Sequence, residues 1–345
     1  MVLKDLLEDH EALYNSKHVT STNKLGILLH MLITGLSNRK LQQRFQQSAS
    51  TILITINQLV KDITSNRALI RKFITLPAHD AKTPNKIKSN SKFSPYFDNC
   101  IGAVDGSHIP VHVNNQTPFV NRKGYPSQNT LAICNFNMEF MFVMPGWEGS
   151  AHDGRLWDEA WSSSLKIPDG KWLLGNAGYP LSESCLVSIL SNQISLERPG
   201  CCWGEKTYQE LFDLRHNSAC NVIEQIFGVI KSRFEVINTG CYYNISIQLK
   251  VIIVMAFIHN FIQVTDPTDT LSSDEISTSL DDCQPATVEY IQLYHQGITR
   301  RESTKATKMR DEIAKRMWLD YQNLIRSCQR HSQPDTCHSC LILST

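Results

Sequence analysis

The sequence predicts an α/β protein, a mixed sheet flanked by helices and preceded by a small helical region. Three observations predict it. Residues 22–66 carry apolar side chains at helical spacing. From Cys100 the pattern changes to short β-type runs separated by turn residues. Helical periodicity then returns between and after those runs. Strands alternating with helical segments are the pattern of a sheet covered by helices.

The N-terminal region, residues 1–66, opens the order. Leu25, Leu28, Leu29, Leu32 and Ile33 recur at helical spacing. Residues 39–46 read as a short helix, QSAS as a turn and residues 50–63 as a second helix. Ser48 or Ser50 is placed to cap that second helix. Helix, tight turn and helix form the outline of a helix-turn-helix. The second helix, ASTILITINQLVKDI, is apolar and poor in Arg and Lys, which suits packing better than base reading. Residues 67–98 are polar, basic and broken by prolines, and read as a connector. Its Lys82, Lys86, Lys88 and Lys92 suit either phosphate contact or a solvated loop.

The core is expected at residues 99–263. CIGAVDG reads as a strand ending at Asp105, and HIPVHV alternates apolar and polar residues. LAICNFNM and EFMFVMPGW form a hairpin around residues 137–139, and KWLLGNAG is a further strand. SAHDGRLWDEAW starts a helix, capped by Ser150 or Asp153, with Leu156, Trp157 and Trp161 on its apolar face. Residues 216–234 form an amphipathic helix with Ile223, Ile226, Phe227, Ile230 and Phe234 on one stripe. Residues 245–262 continue as a buried helix.

Residues 264–288 are acidic, rich in Ser and Thr, and read as a flexible linker. Residues 289–327 form a charged helix, locally basic through residues such as Arg300, Arg301, Lys308 and Lys315. It suits a phosphate backbone, or docking through Met317, Trp318 and Tyr321. Residues 328–345 read as a disordered tail. Its Cys337 and Cys340, near His331 and His338, make one ligand pair where a structural zinc site usually takes two.

Composition narrows the function. With 41% hydrophobic and 19% charged residues, the chain can bury a core, which excludes global disorder. A net charge of +1 excludes DNA attraction by overall charge, so any DNA contact must use local patches. The acidic start MVLKDLLEDHEALYN lacks the pattern of a signal peptide. The apolar run at residues 251–257 is too short to cross a bilayer. The expectation is a soluble intracellular protein with reduced thiols.

Some residues carry chemistry. Acidic residues converging from separate strands and a helix can hold two divalent cations over a phosphodiester. Magnesium is hard and prefers carboxylate oxygens. Asp105 meets this need, since it is followed by Gly106, which leaves room for a metal and a phosphate. Taken alone, Asp-Gly after a strand is more often a turn. Glu224 lies just off the apolar stripe of its helix, with Gly228 and Lys231 further along the same face. Alone it reads as a solvated glutamate. His108 and His152 flank the acidic motifs, and Asn121, Arg122 and Lys123 form a polar turn. Each suits local hydrogen bonding or phosphate contact. Trp147 suits packing.

CIGAVDGSHIP, NRKGYPSQNTLAICNFNMEFMFVMPGWEGSAHDGRLWDEA, LLGNAGYP and LRHNSACNVIEQIFGVIKSRFEVI follow one another in the chain. In that order they resemble the motifs of the PIF/Harbinger transposase superfamily and the nucleases derived from it. The resemblance covers roughly residues 22–262, and RDEIAKRMW resembles the tail of some members. It implies an RNase H-like core with a DDE metal site for Mg2+ or Mn2+. Asp105 maps to the first aspartate, Glu224 to the glutamate, and Asp153 to the aspartate of the AHDGR motif. The remaining aspartate should stand in LGDAGYP, where this chain has LGNAGYP and thus Asn176. A second departure is LSESCLVSILSNQISLERPG, which replaces an expected basic, aromatic stretch.

Asn176 offers a carbonyl oxygen but no negative charge, and it cannot take a proton as a carboxylate can. Metal occupancy and rate should both fall. The resemblance therefore implies a nuclease acting on DNA, catalytically impaired. The alternatives are a non-catalytic DNA- or protein-binding module, or a decaying transposon copy. It also implies a separate DNA-binding protein partner and a nuclear location, with no membrane contact and oligomeric state left open.

Overall fold

The computed structural model describes residues 2–149, 151–190, 207–266, 268–269 and 299–331. Most of the expected linker, and the tail with its cysteine pair, lie outside the described residues. The chain forms two compact units. The first holds residues 1–77, 104–166 and 222–284, the second residues 78–103, 167–221 and 285–345. The helices are α1 (Leu3–Asp9), α2 (Ser21–Thr34), α3 (Asn38–Phe45), α4 (Ala49–Ser65), α5 (Arg67–Phe73), α6 (Asn85–Lys88), α7 (Asp153–Ser163), α8 (Tyr208–Arg233), α9 (Glu235–Thr239), α10 (Ile245–Thr265) and α11 (Arg300–His331). The strands are β1 (Cys100–Pro110), β2 (Ser127–Cys134), β3 (Phe140–Glu148), β4 (Trp172–Gly175) and β5 (Cys185–Val187), in the sheet order β3-β2-β1-β4-β5. β2 pairs antiparallel with β3 and β4 pairs parallel with β5, so the sheet is mixed. Both β1 and α8 contribute residues to each unit.

In the first unit, the predicted helix, turn and helix are present as α3 and α4. Ser48 is the capping residue and accepts from the Thr51 N–H at 3.2 Å, so Ser50 lies inside the helix. Ile52, Ile56, Leu59, Val60 and Ile63 turn inward, which makes α4 a packing helix along that face. α2 buries Leu25, Leu28 and Leu32, but Ile33 is exposed, and Ile27 and Met31 complete its inner face. The expected connector begins with a helix, α5, because Asn66 caps it by accepting from the Leu69 N–H. The β2–β3 turn is built by Asn135, whose Oδ1 accepts from the N–H groups of Asn137 and Glu139.

α10 packs on β3, α4 and α5. It runs 21 residues and, by length and composition, is apolar enough to cross a membrane. The expectation from residues 251–257 understated it. Its helix continues through buried Asn260, which donates to the Phe73 and Phe140 carbonyls, so α10 serves as a core helix of this unit.

In the second unit, Phe97 meets Trp172 and Phe212 edge to face, and these rings anchor β4 to α8. α11 buries Ala306, Ala314 and Met317, while Trp318 and Tyr321 are half-buried. Arg310 donates to the Ser188 carbonyl, and the Tyr96 hydroxyl donates to Asp320. Docking through Met317 is therefore realised. β5 and α9 are short elements that the periodicity does not announce.

Candidate active site

The site in the first unit starts from β1. The sequence places Asp105 at a strand end, yet β1 runs on to Pro110, so Asp105 lies in mid-strand. Gly106 is not a turn residue. Its reason is space. A Cβ there would stand 2.5 Å from Asp153 Oδ1 and 3.0 Å from Asn129 Oδ1. Both are far inside van der Waals contact, so only glycine lets these oxygens approach the strand. Asp153 is the first residue of α7, and His152 occupies the cap position. Asp153 therefore does not cap the helix, but its charge is favoured in the first turn. Ser150 lies outside the described residues.

Burial, and then the charge of Asp153, hold the Asp105 carboxyl well above the ordinary carboxylate range. Glu224 pushes in the same direction, while the Gly106 N–H and Lys231 pull the other way. Burial also raises Asp153, opposed by a hydrogen bond from Asn129 and by the charges of His108, His152 and Arg122. Asp153 and Glu224 are thus each within electrostatic reach of Asp105. Glu224 is exposed and stands beside the buried stripe of Ile223, Ile226 and Phe227.

A polar rim surrounds Asp153. His108 Nδ1 lies 3.1 Å from Ser127 Oγ, and Asn121 Nδ2 donates to the same oxygen at 2.9 Å. Burial lowers the pKa of His108, so its ring favours the neutral form. The Arg122 guanidinium donates to His152 Nδ1 at 2.8 Å. Lys123 is exposed at the turn. The Arg155 guanidinium sits 5.0 Å from the Trp147 ring centroid, so Trp147 packs against a cation of its own chain.

Asn176 belongs to the second unit, immediately after β4. Its Oδ1 accepts from the Gly178 N–H at 2.8 Å, and its carbonyl accepts from the Tyr179 N–H at 3.1 Å. The side chain thus builds a local turn.

Sequence reasoning missed Asn129. It is 2% exposed on β2, donates to the Ala151 carbonyl and donates to Asp153 Oδ1, each at 3.2 Å. A signal was present. Ser127, Gln128, Asn129 and Thr130 are four consecutive polar residues opening a strand that is buried throughout.

Among the described residues, no group of three His, Cys, Asp or Glu side chains is set to hold a metal ion. The donor chemistry nevertheless fits a hard divalent cation. The charge of half-buried Asp153 reaches half-buried Asp105, and at Gly106 an Asp153 oxygen and the Asn129 amide oxygen approach the strand together.

Residues 104–260 match the family model described as DDE superfamily endonuclease. Its span begins one residue before Asp105 and contains Asp153, Asn176 and Glu224. "Putative nuclease HARBI1" of Rattus norvegicus is 25% identical over 201 residues, 56% of this chain and 53% of that protein. Together these matches support a Harbinger transposase-derived DDE nuclease family for the segment at residues 104–260. The human protein of the same name is 24% identical over 56% of this chain and 53% of its own length. "Protein ALP1-like" of Arabidopsis thaliana is 22% identical over 325 residues, 87% of this chain and 72% of that protein. The chain thus spans about half the length of the nuclease relatives in this family. Residues 1–65 match a domain of unknown function. No solved structure matches the chain.

Proposed function

We propose that this protein is a divalent-metal-dependent nuclease acting on DNA phosphodiesters, with an RNase H-like core impaired by Asn176. One observation carries the reading. Half-buried Asp105 feels the charges of Asp153 and Glu224, and all three lie in the span that matches a DDE endonuclease. Burying like charges together costs stability, and such costs collect at functional sites.

Asp105, Asp153 and Glu224 would hold Mg2+ or Mn2+, and Asn176 stands where the family motif carries a further aspartate. When bound, the cations supply positive charge at the phosphate and make water or a DNA 3′-hydroxyl a better nucleophile. The chain's own residues do the remaining work. Asp105 and Asp153 present acceptor oxygens from a strand and a helix start. Lys231, whose charge reaches Asp105, offers a cation to a phosphate oxygen. Arg122, Lys123 and His152 offer a basic edge for the DNA backbone. Asn176 supplies no charge, so the cations are less neutralised and catalysis is weakened.

A second reading is a non-catalytic DNA- or protein-binding module. The observation that favours it is Asn176 itself, whose oxygen already accepts from Gly178. A nuclear location is inferred from DNA as the substrate. A separate protein would supply target recognition, since α4 spends its apolar face on packing.

Nicking of supercoiled plasmid in Mg2+ or Mn2+ tests the proposal. The native protein should nick slowly, Asp105→Ala should not nick, and Asn176→Asp should nick about tenfold faster or more. Absence of cleavage by both native protein and Asn176→Asp sinks the nuclease reading. Salt-dependent DNA binding without cleavage would then support the module.

A further inference from the structure

We propose that Asn129 is a working part of the cation site, orienting Asp153 through its amide nitrogen and offering Oδ1 as a neutral ligand. The inference rests on the metal-dependent reading above and adds a residue outside the acidic set.

The orientation of the amide follows from its partners. Nδ2 is 3.2 Å from the Ala151 carbonyl and 3.2 Å from Asp153 Oδ1. A carbonyl can only accept, so the nitrogen must face that side. The oxygen then faces the other way, where it is buried and has no hydrogen-bond partner. Buried acceptors left unmade are rare in folded proteins, and each calls for an explanation. Here the missing partner has a place. Asn129 Oδ1 and Asp153 Oδ1 both lie against the bare Cα of Gly106, within 3.0 Å and 2.5 Å of where a Cβ would stand. A strand that excludes even a methyl group beside two oxygens leaves a cradle lined by hard donors.

The neighbours do not share this geometry. Gln128 Oε1 and Thr130 Oγ1 are also buried and unpartnered. Strand alternation turns Gln128 to the opposite face of β2 from Asn129, and the pairing of β2 with β3 is irregular at Thr130. Thr130 instead lines a small apolar cavity with Phe140 and Phe227. Of these three, Asn129 has its oxygen beside Gly106 together with an oxygen of Asp153. Groups that orient metal ligands typically change affinity 10- to 100-fold when removed.

Binding of Mn2+ alone, followed by electron paramagnetic resonance, tests this on the full chain. Asn129→Ala should weaken Mn2+ binding by about tenfold or more. The melting temperature measured with chelator should change far less than the Mn2+-induced rise in it. Asn129→Leu, of similar size but with neither the donor nor the acceptor, should weaken Mn2+ binding to the same extent. Should Asn129→Ala fail to fold, Asn129→Leu decides, and native-like Mn2+ affinity there overturns the inference. If Asp105→Ala loses Mn2+ while Asn129→Ala binds as the native protein does, the metal site stands without Asn129. If the native protein binds no more Mn2+ than Asp105→Ala, the metal reading falls and this inference falls with it.

Discussion

Asp105 and Asp213 are two aspartates in two different units, half-buried and buried, and their surroundings are opposite. Asp213 lies on α8 at 1% exposure, and its two oxygens accept from the N–H groups of Ile189 and Leu190 at 2.6 and 2.7 Å. Donors face it, and Arg310 and His216 stand near enough to stabilise its charge. Asp105 feels the charges of Asp153 and Glu224, opposed by the Gly106 N–H and by Lys231. Burial leads the rise in pKa at both positions. Burial therefore does not separate structure from function in this chain. The groups that surround the carboxyl do.

The contrast can be broken most sharply at Asp105. Asp105→Asn should reduce metal-dependent nicking by about 100-fold or more. The same change should raise the melting temperature of the metal-free protein by a few degrees, since it removes a repelled, desolvated charge. A lower melting temperature would place Asp105 with Asp213 as a structural group. Asp213→Ala should do the reverse, costing on the order of 2–4 kcal/mol in urea unfolding, because two buried N–H groups lose their acceptor.

A buried base extends the comparison to pH. His259 Nε2 donates to the Met138 carbonyl at 2.8 Å, and burial pulls its pKa to about 4. The unfolded value is about 6.5, so the neutral ring is the form that folding favours. Its contribution is complete above about pH 6.5 and is lost as pH falls toward about 4, by up to about 3 kcal/mol. Equilibrium unfolding across that window should show the slope, and His259→Gln should flatten it. The smallest effect is expected at Asn176. Asn176→Ala removes the acceptor for Gly178 and should cost about 1 kcal/mol. Asn176→Asp keeps that acceptor and should leave stability within about 0.5 kcal/mol. A large loss with Asp would mean that the turn requires the amide.

The elements that were legible in the sequence are those whose cause is local. The stripe from Ile223 to Phe234 is buried as its spacing requires, and the turn around Asn135 follows from its own side chain. The helix, turn and helix near Ser48 is equally local. Gly106 was misread because its cause is distant. Asp-Gly favours a turn by local chemistry, but Asp153 and Asn129, far along the chain, require glycine in a continuous strand. α5 was read as a connector because it buries only Leu69, too little to show a period. Asp153 and Glu224 entered the site through the family motifs. No local pattern joins them to Asp105. Asn129 escaped even the motifs, although four polar residues opening a buried strand were visible.

α10 has a consequence for how the chain is made. Alone, its 21 residues would pass for a membrane span. Its covering surfaces on α4, α5 and β3 all lie earlier in the sequence. Synthesis proceeds from the N-terminus at about 5–20 residues per second, so those surfaces leave the ribosome several seconds before α10 does. Among the described residues, the helix best suited to enter a membrane is the one whose covering surfaces are made before it emerges.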